Sequence, residues 1–422
     1  MNEEHLFFTN AYNSLYYSLT GGNDWKPITA DFANDETFWY EIRQAFSVSS
    51  DMINLDNGNV SPSPKKVTET LVHYTWLLQD NPPFMFDFQQ WFLVRTVRKK
   101  LAHLCGCDEG EVAIVRNTTE ALDTVLLGME LKSGDEILTT NHDYWAMFDA
   151  LEQRRIRDGI IVNTIDVPVP VISMDQLVEG FEKAITAKTK LILVSHVVNL
   201  TGQIFPVKRI CEIAHQKGIE VVVDGAHSFA HLDFKVAELG CDYFGTSLHK
   251  WLLAPMGTGM LYVQKDKIEK LWSLTPAPQK VKKDISKFEY IGTHSPAATI
   301  AIGEAIDFHE MIGAQRKQER FKYLTSYWVD NLKHLSGIHF LTTNEPQMNC
   351  GLATFWIEGI DCKALAKYLL EQHSIFVQDV SGASHGSNFK GVRVTPNVYT
   401  TTQELDYFCE VMERVSKNGL PK

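Results

Sequence analysis

Between residues 111 and 224 brief apolar runs alternate with longer amphipathic ones. The brief runs are 111–117 (EVAIVRN), 135–140 (DEILTT), 190–197 (KLILVSHV) and 219–224 (IEVVVD), all rich in Val, Ile and Leu. Between them lie stretches of ten or more residues with helical spacing: 118–131 (TTEALDTVLLGMEL), 144–159 (YWAMFDALEQRRIRDG) and 207–218 (VKRICEIAHQKG), the last ending on Gly218. Strands apolar at consecutive positions are strands buried on both faces. Their alternation with helices predicts βα units and a mostly parallel sheet.

Past about residue 310 the pattern changes. Residues 315–335 predict a charged amphipathic helix, 352–359 a strand, 362–373 a helix and 391–396 a strand. A final helix begins near Thr401, whose spacing to Glu404 fits a capping box. The chain has 422 residues, more than one core usually supports. The expected organisation is an N-terminal segment at 1–55, a large α/β domain at 56–310 with a mostly parallel sheet, and a smaller α+β C-terminal domain at 311–422.

Charge and cysteine content narrow the function classes. A net charge of −12 argues against nucleic acid and against anionic membrane surfaces as partners, since both reward a basic face. No apolar run approaches the roughly 20 residues that cross a bilayer. The start, MNEEHLFFTNAYNS, lacks a signal pattern, so a cytoplasmic location is expected. Seven cysteines scattered through the chain are not a disulfide framework and are expected as free thiols. The tightest pair, Cys105 and Cys107, has no second pair with which to build a zinc site.

In an open parallel sheet, ligands sit at the carboxyl ends of the strands. That rule gathers 116–122 (RNTTEAL), 139–145 (TTNHDYW), 195–202 (SHVVNLTG) and Asp224 along one edge. Thr118 and Thr119 stand at a helix start, where free N–H groups and the dipole favour an anion such as phosphate; simple N-capping is the plainer alternative. Tyr144, with Trp145 beside it, offers a ring to stack on a flat ligand. Asp224 is a carboxylate in apolar surroundings that requires a cation or donor. Lys250, between His249 and Trp251, is set to have a lowered pKa and a nucleophilic amine. A phosphate site, a stacker, a carboxylate for a protonated ring nitrogen and an amine for an aldehyde together describe pyridoxal 5′-phosphate (PLP).

The stretch 221–263 (VVVDGAHSFAH…CDYFGTSLHKWLLAPMGTGMLYV) resembles the signature of class V, fold-type I PLP enzymes, a group that includes cysteine desulfurases, kynureninase, several aminotransferases and isopenicillin N epimerase. The resemblance extends from 54–64 to 392–401 and is nearest the isopenicillin N epimerase-like branch. It implies that Lys250 carries the cofactor and that Asp224 pairs with the ring nitrogen. His227 then meets the ring hydroxyl and Asn199 lies near the ring oxygen. Ser247, His249, Thr118 and Thr119 contact the phosphate. Thr293 reaches the phosphate of a neighbouring subunit, which implies a homodimer with shared sites. Arg393 takes the substrate α-carboxylate, a task that suits its bidentate fork.

Other readings of the same residues are weaker. His227 and His231 stand at i, i+4, yet no Glu follows the first and no third metal ligand is apparent, so no metal is expected. The GTG at 257–259 lacks the strand and helix of a dinucleotide fingerprint. A non-catalytic protein on this fold would not need both Asp224 and Lys250. Residues 378–394 contain no Cys, which argues against desulfuration through a persulfide. The expectation is an enzyme acting at the α-carbon of an amino acid or amino-acid-like substrate, with transamination ahead of epimerisation and C–S lyase chemistry third.

Overall fold

The structure, a computed structural model, describes residues 33–421 apart from 172, 344 and 384–388. The first 32 residues of the predicted N-terminal segment, and 384–388 in the loop before Arg393, lie outside the described residues. Among the described residues no helix is long and apolar enough to cross a membrane.

Strand β1 (Ile53–Asn54) precedes a seven-stranded sheet built from β2 (Val112–Val115), β3 (Glu136–Thr140), β4 (Ile161–Ile165), β5 (Thr189–Ser195), β6 (Glu220–Asp224), β7 (Tyr243–Ser247) and β8 (Gly259–Val263). The spatial order is β2-β8-β7-β6-β5-β3-β4. All neighbours are parallel except β8, which runs antiparallel to both β2 and β7. The apolar runs read as two-faced strands, and they are. Ile192, Val194, Val221 and Val223 enter one core, while Leu191, Leu193 and Val222 enter the core on the opposite face.

The remaining strands are β9 (Ile338–Phe340), β10 (Ala353–Ile357), β11 (Ile375–Phe376), β12 (Gln378–Asp379) and β13 (Val392–Val394). Four of them form an antiparallel sheet in the order β12-β13-β10-β9, over a separate core that includes Trp328, Phe355 and Phe408. The last helix, Thr402–Asn418, starts with the expected capping box: Glu404 N–H donates to Thr401 Oγ1 at 3.2 Å and Thr401 N–H to Glu404 Oε2 at 2.8 Å.

Residues 53–58 are fastened to these C-terminal elements. β1 pairs in parallel with β11, Leu55 is buried in the third core, and Asp56 bridges Thr395. The loop after β1 is thereby laid against β13, the strand that carries Arg393. This arrangement matters for the site.

Candidate active site

Asp224 is the last residue of β6, paired between Ser195 and Gly245 of the neighbouring strands. Its Oδ1 accepts from Ala226 N–H at 2.9 Å. Gly225 follows because nothing larger fits: a Cβ there would lie 1.9 Å from the Phe244 ring. Burial raises the Asp224 pKa to about 6, against the Ala226 hydrogen bond and the Lys250 charge.

Lys250 follows β7 on a tight return in which Ala254 N–H donates to Leu248 O at 3.0 Å. The return forces buried Leu253 to a φ of +67°, a strained value for a branched residue. Burial lowers the Lys250 amine to about 8, with Asp224 opposing and Arg393 adding to the shift. The shift favours the neutral, nucleophilic form of the amine. The Nζ lies 3.3 Å from His227 Nε2. Burial first, and then the Lys250 and Arg393 charges, hold His227 neutral. His227 Nδ1 is buried and has no partner.

The helix Thr118–Gly128 opens on this edge. Its N-cap is Asn117, whose Oδ1 accepts from Glu120 N–H at 2.8 Å. The two threonines are therefore not caps. Thr118 instead ties the helix start to the end of β7, its N–H donating to Ser247 Oγ at 2.9 Å and its hydroxyl 2.7 Å from the same atom. Thr119 is half-buried and faces the cleft. Behind Lys250, His249 Nδ1 is 3.0 Å from Thr258 O, and the His249 carbonyl accepts from Ser61 N–H.

Tyr144 precedes the helix Trp145–Asp158 and lines the cleft half-buried, while Trp145 is 56% exposed. Sequence reasoning passed over the residue that sets this wall, Asp143. It is fully buried and accepts five hydrogen bonds, from Thr139 Oγ1, Thr140 N and Oγ1, and Ser195 N and Oγ. That knot joins the ends of β3 and β5 and presents Tyr144. A signal existed in the sequence: a single carboxylate amid Thr and Ser at two strand ends.

Eight predicted residues line one cleft: Thr118, Thr119, Tyr144, Asn199, Asp224, His227, Ser247 and Lys250. Among them Asn199 has a buried, unpartnered Oδ1. Arg393 is not in the lining. It stands buried beside the cleft, where its Nη1 donates to Asn199 O at 3.1 Å and its Nη2 to Asp56 Oδ1 at 2.7 Å. Thr293 is exposed on the turn before the helix Ala297–Ile312 and is not among the residues that line this cleft. His231 has both nitrogens engaged, Nδ1 with His227 O and Nε2 with Gly351 N–H, each at 2.8 Å. It has no lone pair left for a metal, and among the described residues no group of three metal-ligating side chains gathers.

The donor set fits PLP. A helix N-terminus suits the phosphate, a buried carboxylate of raised pKa needs a cationic partner, and an amine of lowered pKa suits an aldehyde. Orphaned polar atoms on Asn199 and His227 need partners that the protein does not supply.

Comparison with known proteins agrees. The chain is 30% identical over 400 residues to isopenicillin N epimerase of Amycolatopsis lactamdurans, covering 90% of this chain and 99% of the relative. It is 34% identical over 418 residues to a probable cysteine desulfurase of Halalkalibacterium halodurans, covering 90% and 98%. Among solved structures it is similar to C-DES with glycine covalently linked to the PLP cofactor, at a TM-score of 0.79 and 21% identity over 88% of this chain and 98% of that one. That likeness carries the fold. The aminotransferase class-V model matches residues 53–408, and the chain belongs to that family of PLP enzymes, with PLP as its cofactor.

Proposed function

We propose that the protein transfers the amino group of an α-amino acid, with Lys250 as the single base. Bound PLP supplies a sink for the electrons left at the α-carbon when a bond there breaks. The chain's residues do the rest. The helix start at Thr118 and Thr119, with Ser247 and His249, holds the phosphate. Tyr144 stacks on the ring. Asp224 keeps the ring nitrogen protonated, and His227 and Asn199 attend the ring oxygen. Arg393 takes the substrate carboxylate. Lys250 Nζ would be the base that takes the α-proton of the substrate and the acid that gives it back.

The observation that carries this reading is the imbalance of proton carriers. On one side is the Lys250 amine with a pKa near 8. For the stacking side, the group we assign is Tyr144. Burial and the Asp224 charge raise its pKa above the usual 10, so it stays protonated and is no base. Epimerisation is the second reading, favoured by the identity to isopenicillin N epimerase, because a protonated Tyr144 is an acid able to deliver a proton to the other face. Desulfuration is disfavoured. It needs a thiolate, whereas burial raises Cys211, Cys350 and Cys409 to about 12, and residues 378–394 hold no Cys.

The test incubates holoenzyme with a panel of amino acids in heavy water, without keto acid. Transamination predicts stoichiometric conversion of the cofactor to its amine form. Catalytic loss of stereochemistry with deuterium at Cα, and no amine form, would select the epimerase instead.

A homodimer is part of the proposal. Trp76, Phe84, Trp91 and Phe92 are each more than 60% exposed on consecutive helices, more aromatic surface than a monomer usually leaves to water. A cytoplasmic location is also proposed, supported by seven free cysteines.

A further inference from the structure

The carboxylate at position 56 is a charged group beside the site without an assigned task. Asp56 lies on the loop after β1, and its side chain has no exposure. The loop is held in place by β13's extension: Asn57 N–H and Nδ2 donate to Thr395 O, and Gly58 N–H to Thr395 Oγ1 at 2.9 Å. Asp56 Oδ1 accepts from Arg393 Nη2, but Oδ2 is buried and makes no hydrogen bond. Arg393 Nε is likewise buried and unpartnered. An ion pair built only for stability would satisfy these atoms, since a half-satisfied buried pair is costly.

The pair also belongs to the cleft. A Cβ at Gly58 would lie 3.1 Å from Thr395 Cγ2, 3.3 Å from His227 Cε1 and 3.5 Å from Arg393 Cζ, so the imidazole and the guanidinium both face the Gly58 backbone. His227 in turn meets Lys250. Burial pushes the Asp56 pKa up, with Arg393 and then Lys250 opposing, so all three charges share one field.

We propose that Asp56 is a positioning and selectivity residue: Oδ1 holds the Arg393 fork, and its charge competes with the substrate carboxylate for that fork. The proposal rests on Arg393 being the carboxylate clamp. Asn199 O and Asp56 Oδ1 occupy one hydrogen on each terminal nitrogen, which fixes the guanidinium plane. The remaining N–H groups are free for a second carboxylate. That second anion must then share one guanidinium with Asp56, and the repulsion keeps its binding reversible. Ligands without a carboxylate escape the competition and gain nothing from Arg393.

The charge and the hydrogen bond separate in Asp56→Asn, whose amide oxygen still accepts from Arg393. Propionate, which has a carboxylate and no amine, is titrated into the holoenzyme and followed by the cofactor's absorbance. Propionate should bind Asp56→Asn on the order of tenfold more tightly than wild type, because an unneutralised buried guanidinium seeks an anion. Propionamide should show no such gain. A merely structural ion pair predicts the opposite, weaker binding in a loosened site. Equal or weaker propionate binding by Asp56→Asn therefore overturns the role of Asp56 and leaves the clamp standing. Propionate binding that survives Arg393→Ala overturns the clamp itself. If Asp56→Asn does not accumulate folded, its refolding is compared with propionate and with propionamide. Recovery with propionate alone supports the proposal, and no difference between the two overturns it.

Discussion

Asp224 and Arg393 are the residues whose chemistry gives the sharpest tests. An acid whose pKa is raised on folding prefers its protonated form in the native state. Asp224 thus contributes stability below its ordinary pKa of 3.8 and loses it as pH rises through about 6. The span corresponds to roughly 3 kcal/mol. In cofactor-free protein, urea unfolding should show wild type losing stability relative to Asp224→Asn over that window. A constant difference between the two proteins would mean that the carboxylate is not held in its protonated form. For Arg393→Ala, loss of a charged hydrogen-bond pair should lower kcat/KM for amino acids by about 1.5–3 kcal/mol. Simple amines should be unaffected, and an equal loss for both substrate types would remove the carboxylate role. Asp224 was legible in the sequence because it ends an apolar run at a strand end, and Lys250 because it stands between His249 and Trp251 just before an apolar stretch. Asp56 was not, because it meets Arg393 across 337 positions and no local pattern marks the pairing.

At the scale of elements, the parallel strands were legible for the reason that makes them stable. β2, β3, β5 and β6 are largely buried and each carries a short apolar run. β4 was missed because it is an edge strand, IVNTI, partly exposed along its length and mixed in polarity. β8 was not predicted, because its first residue, Gly259, belongs to a Gly-rich stretch, although that glycine is there for packing. It pairs with Val115 and Ser247, and a Cβ on it would lie 2.6 Å from the Asn117 backbone. That contact sets the start of the helix Thr118–Gly128 against the sheet. Gly259→Ala should therefore cost about 1–3 kcal/mol in urea unfolding through overpacking. It should also weaken PLP binding, because the displaced element is the proposed phosphate site. A folded variant with wild-type PLP affinity would detach that helix start from the site. The return carrying Lys250 was invisible for a different reason: nothing in a Leu-Leu pair announces a φ of +67° at the second.

The whole molecule places Thr293 on an exposed turn, outside the cleft lined by its own Lys250. We propose that Thr293 serves the phosphate of another subunit, for which the exposed aromatics at Trp76, Phe84, Trp91 and Phe92 offer a surface. In a two-fold dimer each site then takes Lys250 from one protomer and Thr293 from its partner. Two defective variants should complement. Lys250→Ala removes the amine, and Thr293→Asp sets a negative charge against the phosphate across the interface. Each homodimer carries its defect in both sites. A mixed dimer concentrates both defects in one site and leaves the other intact. After unfolding and refolding at a one-to-one ratio, half the dimers are mixed, so about a quarter of all sites should regain wild-type function. The measurement is turnover at limiting PLP, where the Thr293→Asp homodimer is weakest, alongside sedimentation to confirm a dimer. Activity equal to the mean of the two homodimers would show that Thr293 acts within its own subunit or not at all. A monomeric holoenzyme with full activity would remove the shared site altogether.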